Sequence, residues 1–155
     1  MDYYNNEANP QEMPMKWYKF IIYFQLFVSA MSYLFSGVTY LMGLQYGGMA
    51  NLAYTFWGSD LKILDMIMAI LSFGTMVFML YTRHCLTMYK QGAPKKYLFC
   101  LVLALVNAGV YLFGTYFVTG KFSLVMEDVL MLIEAGIMIA LNYVYFKKRE
   151  HLFVY

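Results

Sequence analysis

The last long apolar run of the chain, SLVMEDVLMLIEAGIMIALNYVY (Ser123–Tyr145), decides the fold. A helix of roughly 20 mostly apolar residues crosses the hydrocarbon core of a bilayer, and this run is long enough to do so. It also carries acids, and Glu134 lies near its middle. An ionised carboxylate at the bilayer centre costs at least roughly 2.5–3.5 kcal/mol. The run therefore predicts a membrane helix whose acids the rest of the chain hides from lipid.

The composition places the whole chain in the membrane class. Of its 155 residues, 62% are hydrophobic and 13% are charged, against roughly 25% charged residues in ordinary soluble domains. We therefore expect an integral membrane protein whose first partner is the lipid bilayer. Nothing in the sequence indicates nucleic-acid binding. The two cysteines, Cys85 and Cys100, form no CxxC motif and are too few for a disulfide framework.

Four apolar runs give the domain organisation. Each is near the length that a bilayer demands, so the sequence predicts an all-α protein, a four-transmembrane-helix bundle. The predicted parts are a flexible polar N-terminal tail (1–15), the bundle (16–149) and a short C-terminal tail (150–155). The predicted spans are about 20–42, 61–81, 97–118 and 123–146.

Lysine and arginine predict the orientation of the bundle. Nine of the eleven basic residues flank the spans on the side of the two termini, and only Lys62 and Lys121 lie on the opposite side. Loops rich in these residues stay in the cytoplasm. We therefore expect both termini to be cytoplasmic. The loop Leu44–Asp60 then faces outward, as a short cap in the interface or, alternatively, as a lid that gates a ligand site.

Small and polar residues recur at helical spacing in the first span. They are Gln25, Ser29, Ser32, Ser36 and Thr39, spaced 4-3-4-3. This spacing places them on one helix face. Such residues allow close packing and hydrogen bonds between membrane helices, so we expect this stripe to face inward. It indicates either packing contacts or the wall of a polar cavity.

A short internal similarity suggests two parallel hairpin repeats. DLKILDMIMAI (Asp60–Ile70) aligns with SLVMEDVLMLI (Ser123–Ile133), which places Asp65 and Asp128 at the same depth. Each acid can interact with the N-terminal end of its helix and with a nearby lysine, Lys62 or Lys121. Alternatively, Asp65, Asp128 and Glu127 form a cation or proton site, since carboxylate oxygens suit hard cations.

Glu134 is the deepest acid. Asn107 lies near the middle of the third span and is its candidate hydrogen-bond partner, and Glu127 lies seven residues earlier on nearly the same helix face. An ionisable residue inside a membrane indicates a functional site by default. The alternative is a carboxyl that ties helices together.

The sequence contains no recognisable catalytic, metal-binding or phosphate-binding motif. No histidine lies within a predicted span, since His84 and His151 flank the spans. There is no Ser-His-Asp set, no metal-binding motif and no Gly-rich phosphate loop. The sequence therefore predicts no catalytic residue, no cofactor and no metal site, and the protein is not expected to be an enzyme.

Two stretches of the sequence resemble segments of a known protein family. MPMKWYKFIIYF (Met13–Phe24) and LKILD (Leu61–Asp65) resemble segments of a family of small four-span membrane proteins from Gram-positive gut bacteria, whose members enter the first span through a K-W-x-K-F pattern. The resemblance covers about residues 13–148 and implies location in a bacterial plasma membrane. It implies no activity, and the zinc ribbon of some members is missing because residues 1–15 contain no cysteine.

These observations predict a non-enzymatic accessory or scaffold subunit that associates with itself or with another membrane protein. The alternative is a small proton- or cation-linked transporter or channel that uses Glu134 with Glu127, Asp128 and Asp65.

Overall fold

A computed structural model describes residues 15–121 and 126–153, without the side chains of Glu127, Asp128 and Met131. Its described residues form helices and turns and contain no strand, which confirms the all-helical prediction. The N-terminal tail up to residue 14 and Ser123, at the start of the second repeat, lie outside the described residues. The internal repeat therefore stays a prediction.

Five helices follow one another along the described chain. They are α1 (Lys16–Met42), α2 (Ala50–Trp57), α3 (Ser59–Thr87), α4 (Ala93–Thr119) and α5 (Met126–Lys147). Two short 3₁₀ turns, Leu44–Tyr46 and Glu150–Leu152, follow α1 and α5.

Within the described chain, α1, α3 and α4 are long and apolar enough to cross a membrane. Their outer surfaces carry large apolar side chains, such as Phe117, which is 82% exposed, and Ile70, which is 69% exposed. Such surfaces suit lipid, which accepts apolar side chains as readily as the protein interior does. These three helices coincide with the first three predicted spans.

Helix α3 lies between α1 and α4, and α5 packs along α4. Two glycines allow these helices to pack closely against each other. A Cβ atom on Gly37 would lie 2.8 Å from the Phe73 ring, and Leu64 packs directly on Gly114. Small residues at these points let the backbones approach, as expected for helices packed in a membrane.

A π-helical segment, Ile21–Gln25, interrupts the hydrogen-bond pattern of α1. Side chains of the neighbouring helices bond to this segment, one to its backbone and one to a side chain. Arg83 Nε donates to the Ile22 carbonyl oxygen at 3.0 Å, and the Tyr97 hydroxyl donates to Gln25 Oε1 at 2.9 Å. These bonds fix the register of α1 against α3 and α4.

An aromatic cluster closes the end of the bundle at which the described chain begins and ends. Tyr18, Tyr97, Phe146 and Phe153 are buried and in ring contact. The Tyr18 hydroxyl donates to a backbone carbonyl of α3 at 2.6 Å. Helix α5 is held here, because Phe146 and Asn142 are its buried side chains among those described.

The contact between Gly37 and Phe73 gives a test of the packing of α1 on α3. We expect Gly37→Ala to lower the free energy of unfolding by about 1–3 kcal/mol, because the added methyl group displaces the Phe73 ring. Thermal unfolding in detergent micelles measures the change.

Gly74→Ala is the matched control, since it lies in α3 with open space where its Cβ would be. Alanine favours a helix over glycine by up to about 1 kcal/mol, so this variant should be as stable as the original chain or more so. Equal loss in both variants would contradict the packing account.

Candidate functional site: a capped carboxylate beside a cavity

The loop between α1 and α3 folds back over the start of α3. It begins at Gly43, whose φ of 66° favours glycine and ends α1. A Cβ there would also lie 2.8 Å from Ala50 Cβ and 3.1 Å from the Tyr54 hydroxyl. Gly43 thus reverses the chain and lets α2 pack closely. We call residues 43–58 the cap.

The cap delivers two tyrosine hydroxyls to Asp65. This carboxylate is 2% exposed. Tyr46 donates to its Oδ2 atom at 3.0 Å and Tyr54 donates to the same atom at 2.9 Å. The two rings meet edge to face, with centroids 5.6 Å apart. A buried carboxylate is costly unless donors replace its water, and the cap supplies those donors.

This geometry differs from the predicted helix-end interaction of Asp65. Asp65 is the seventh residue of α3, and the effect of a helix terminus falls off within the first turn. Lys62, the other predicted partner, is exposed. The hydroxyls of Tyr46 and Tyr54 stabilise the carboxylate instead.

Asp65 also changes the acidity of the two tyrosines. Burial raises the pKa of Tyr54 to about 12, and the hydrogen bond to Asp65 and its negative charge contribute to the increase. Burial likewise raises the pKa of Tyr46, with a further contribution from Asp65. Both hydroxyls therefore keep their protons, and remain donors, well into the alkaline range.

A cavity of about 920 Å³ lies beneath the cap. Helices α1, α3, α4 and α5 all contribute to its wall, and Tyr46 and Trp57 border it from the cap. Tyr40 of α1 and Tyr111 of α4 both line it, and their rings are in contact, with centroids 5.8 Å apart. Ser36 is the one member of the α1 polar stripe that lines this cavity, and most of the wall is apolar or aromatic.

Asn107 lies in the wall of this cavity and is 5% exposed. Its Nδ2 donates to Thr75 Oγ1 at 2.9 Å and to the Leu103 carbonyl oxygen at 2.8 Å. Its Oδ1 atom is buried and has no hydrogen-bond partner. Half of the Asn107 amide is therefore unsatisfied.

Glu134 is not where the sequence predicted it to be. Its side chain is exposed on α5, and the Asn107 amide bonds to Thr75 and Leu103. Glu134 lies about 130° around the helix from the midpoint of Leu132 and Ala135, which line the cavity. The prediction that this chain hides Glu134 is wrong, because α5 lies at the edge of the bundle.

The other candidate site residues are only partly described. Asp65 and Asn107 both lie inside the bundle. The side chains of Glu127 and Asp128 are outside the described part of the structure. Among the described residues, no cluster of histidine, cysteine or acidic side chains could hold a metal ion.

The polar stripe of α1 is divided between different environments. Gln25 accepts the bond from Tyr97, Ser36 lines the cavity, and Ser29 and Thr39 are half-buried. Ser32 is exposed and donates to the Val28 carbonyl oxygen of its own helix. The prediction of a uniformly inward stripe is therefore wrong at Ser32. Ala30 and Gly37 are the buried small residues of α1.

Sequence reasoning missed the role of Tyr46 and Tyr54. The loop that contains them was predicted to be a short cap in the membrane interface, where tyrosine is commonly found. One signal was available, since a buried acid next to a loop rich in tyrosine needs donors. The sequence also did not predict the bond that Trp17 Nε1 donates to Asn142 Oδ1, at 3.1 Å.

Removing one donor from Asp65 should destabilise the folded protein. We expect Tyr54→Phe to lower the free energy of unfolding by about 1–3 kcal/mol, because the buried carboxylate loses a hydrogen bond that water cannot replace. Tyr46→Phe should act similarly. Thermal unfolding measures both. The control is Tyr23→Phe, whose ring is 64% exposed. A loss in the control as large as in Tyr54→Phe would contradict this account.

The raised pKa of Tyr54 predicts a loss of stability in alkali. Below pH about 10, the usual tyrosine pKa, folded and unfolded chains both keep the proton. Between that value and about 12 the unfolded chain releases it first, so the free energy of unfolding falls as pH rises. Tyr54→Phe should reduce this fall in thermal unfolding series, whereas Tyr23→Phe should leave it unchanged. Parallel curves for the original chain and Tyr54→Phe would contradict the prediction.

Comparison of the chain with known protein families, curated proteins and solved structures found no match. The resemblance to a family of four-span membrane proteins therefore stays a prediction. The function rests on the geometry described above.

Proposed function

We propose that the chain is a non-enzymatic accessory or scaffold subunit of a membrane, which associates with a second copy of itself or with another membrane protein through α5. In this proposal α5 is the fourth span. Both termini are cytoplasmic, as the distribution of lysine and arginine favours. The membrane is the plasma membrane, for which the resemblance to bacterial proteins is the support.

The exposed side chain of Glu134 carries the proposal. It lies in the middle of α5, a helix of 22 residues. A carboxyl group facing lipid at that depth is unfavourable by at least roughly 2.5–3.5 kcal/mol when ionised. Since the described part of the chain leaves Glu134 exposed, a partner that covers it lowers the energy of the membrane-embedded state.

The surface beside Glu134 suits a helix–helix contact. Ile133 and Ile137 are each 55% exposed. On this side of the helix Ile137 lies about 60° and Ile133 about 100° around the axis from Glu134. Apolar side chains around one polar group suit a contact between membrane helices, in which the carboxyl group adds a hydrogen bond.

This position of Glu134 supports association more directly than transport. A proton- or cation-linked transporter needs its polar groups along one path. Glu134 faces away from the cavity wall, where Asn107 lies. Asp65 is enclosed by the hydroxyls of Tyr46 and Tyr54.

The test is the oligomeric state of Glu134 variants in native membranes. We expect Glu134→Leu to weaken association about three- to thirtyfold, since interhelical hydrogen bonds in membranes contribute about 0.6–2 kcal/mol. Glu134→Gln should preserve association, because an amide keeps the hydrogen bond. Crosslinking followed by mass spectrometry measures association and identifies the partner as the same chain or another protein.

Glu150→Gln is the control, since this acid is exposed beyond the end of α5. It should associate like the original chain. Unchanged association of Glu134→Leu would overturn the proposal. If Glu134→Gln keeps association but abolishes proton uptake by vesicles that contain the protein, ion-linked transport replaces it.

A further inference from the structure

A second cavity lies at the end of the bundle that holds the aromatic cluster. Its volume is about 520 Å³, and its wall is formed by the first turns of α4, the last turns of α5 and the turns next to them. We call it the lysine pocket, because Lys95 of α4 and Lys147 of α5 both line it. The undescribed side chains of Glu127, Asp128 and Met131 belong to the opposite end of α5.

The lysine pocket has a charged outer part and an apolar inner part. Leu98 lies one helical turn deeper along α4 than Lys95, and Tyr143 lies one turn deeper along α5 than Lys147. Phe146, which is 2% exposed, also lines the pocket. Each helix therefore contributes a lysine near its end and an apolar or aromatic side chain one turn further into the bundle.

The length of α4 places this pocket at the surface of a membrane. The helix has 27 residues, and at about 1.5 Å per residue it is roughly 40 Å long. Since the hydrocarbon core of a bilayer is roughly 30 Å thick, the first turn of α4, which contains Lys95, lies among the lipid headgroups when the helix crosses. Lys147 lies at the same level, because it lines the same pocket.

The lysine pocket carries an excess of positive charge. Neither of its two ammonium groups makes an ion pair with a described residue, and Lys147 Nζ lies 5.8 Å from the centre of the Tyr143 ring. One carboxylate, that of Glu150, lines the pocket as well. Two cations and one anion leave a net positive charge, which attracts a negatively charged group.

The acidic N-terminal tail does not reverse this balance. Even if the tail lies over the pocket, this end of the bundle has nine lysine and arginine residues against four acids, which are Asp2, Glu7, Glu12 and Glu150. Val154 and Tyr155, which follow Phe153 of the pocket wall, have no charged side chain. This end of the bundle therefore attracts anions wherever the tail lies.

We propose that the lysine pocket binds one anionic phospholipid with hydroxyl groups in its headgroup, such as phosphatidylglycerol. The phosphate lies between the ammonium groups of Lys95 and Lys147, and a headgroup hydroxyl donates to the Glu150 carboxylate. The acyl chains pass Leu98 and Tyr143 and follow the outer surfaces of α4 and α5 into the bilayer. Basic pockets between membrane helices are known to hold anionic headgroups.

The test compares phosphatidylglycerol with phosphatidylcholine that has the same acyl chains. Phosphatidylcholine keeps the phosphate, but its choline group adds a positive charge and cannot donate a hydrogen bond. Each lipid is titrated into the full chain in a mild detergent, and native mass spectrometry counts the lipid molecules bound per chain. We expect one phosphatidylglycerol per chain, bound about ten- to thirtyfold more tightly than phosphatidylcholine, as two lysines at a membrane surface imply.

Two pairs of substitutions that remove the same charge locate the lipid. Lys95→Gln combined with Lys147→Gln removes both ammonium groups of the pocket and should weaken the binding of phosphatidylglycerol about ten- to thirtyfold. Lys19→Gln combined with Lys148→Gln is the matched control, because both lysines are exposed at the same end and neither lines the pocket. This control should bind the lipid like the original chain.

Equal affinity for the two lipids would overturn the proposal, because the pocket would then not recognise the anionic headgroup. Equal losses in the two pairs of variants would also overturn it, because the lipid would then respond to the overall charge of this end. Glycerophosphoglycerol, the same headgroup without acyl chains, separates a lipid site from a site for a soluble phosphate. If it binds as tightly as the lipid, the proposal of a lipid site is wrong.

This proposal is independent of association through Glu134, which does not line the lysine pocket. We expect Glu134→Leu to bind phosphatidylglycerol like the original chain, even where it weakens association. The two proposals therefore fail separately.

Discussion

The buried carboxylate of Asp65 is the constraint on which one end of the structure depends. At 2% exposure it has lost nearly all contact with solvent, and it needs donors from the protein. Tyr46 and Tyr54 supply them from a segment that belongs to no long helix. This requirement explains the path of the cap. The chain must reverse sharply at Gly43 so that α2 returns over the start of α3.

Asp65, Asn107 and Glu134 differ in how many hydrogen bonds they receive from the described residues. Asp65 accepts two hydrogen bonds from the cap. Asn107 donates two but has a buried oxygen without a donor. Glu134 is exposed on a predicted span. Since unsatisfied polar groups cost free energy in an apolar medium, the exposed Glu134 favours the partner protein proposed above.

The three helices that depend only on the length of an apolar run were predicted from the sequence. Three predicted spans coincide with membrane-length helices, although the helices extend further. For example, α3 ends at Thr87 and not near Tyr81, because a helix continues beyond the hydrocarbon layer while its backbone bonds remain favourable. Asp65 and Asn107 are buried, as expected for polar groups within the spans, whereas Glu134 is exposed.

Contacts between distant residues were the part that the sequence did not predict. Tyr54 and Asp65 are eleven residues apart, but their contact depends on the turn at Gly43 and the orientation of α2. Glu134 was predicted to lie inside the bundle, which would hold if one chain satisfied all its own polar groups. Ser32 has the same helical spacing as Ser36, yet it is exposed, because α1 presents Ala30 and Gly37 to its neighbours.

The two sides of α5 differ in what they contact. Leu132 and Ala135 border the cavity, whereas Ile133, Glu134 and Ile137 lie on the exposed side of the same helix. The helix is fixed by buried contacts at its far end, around Phe146. Glu134 lies twelve residues before Phe146, about 18 Å along the helix. A partner that covers Glu134, as proposed above, therefore binds the part of α5 that the described residues constrain least.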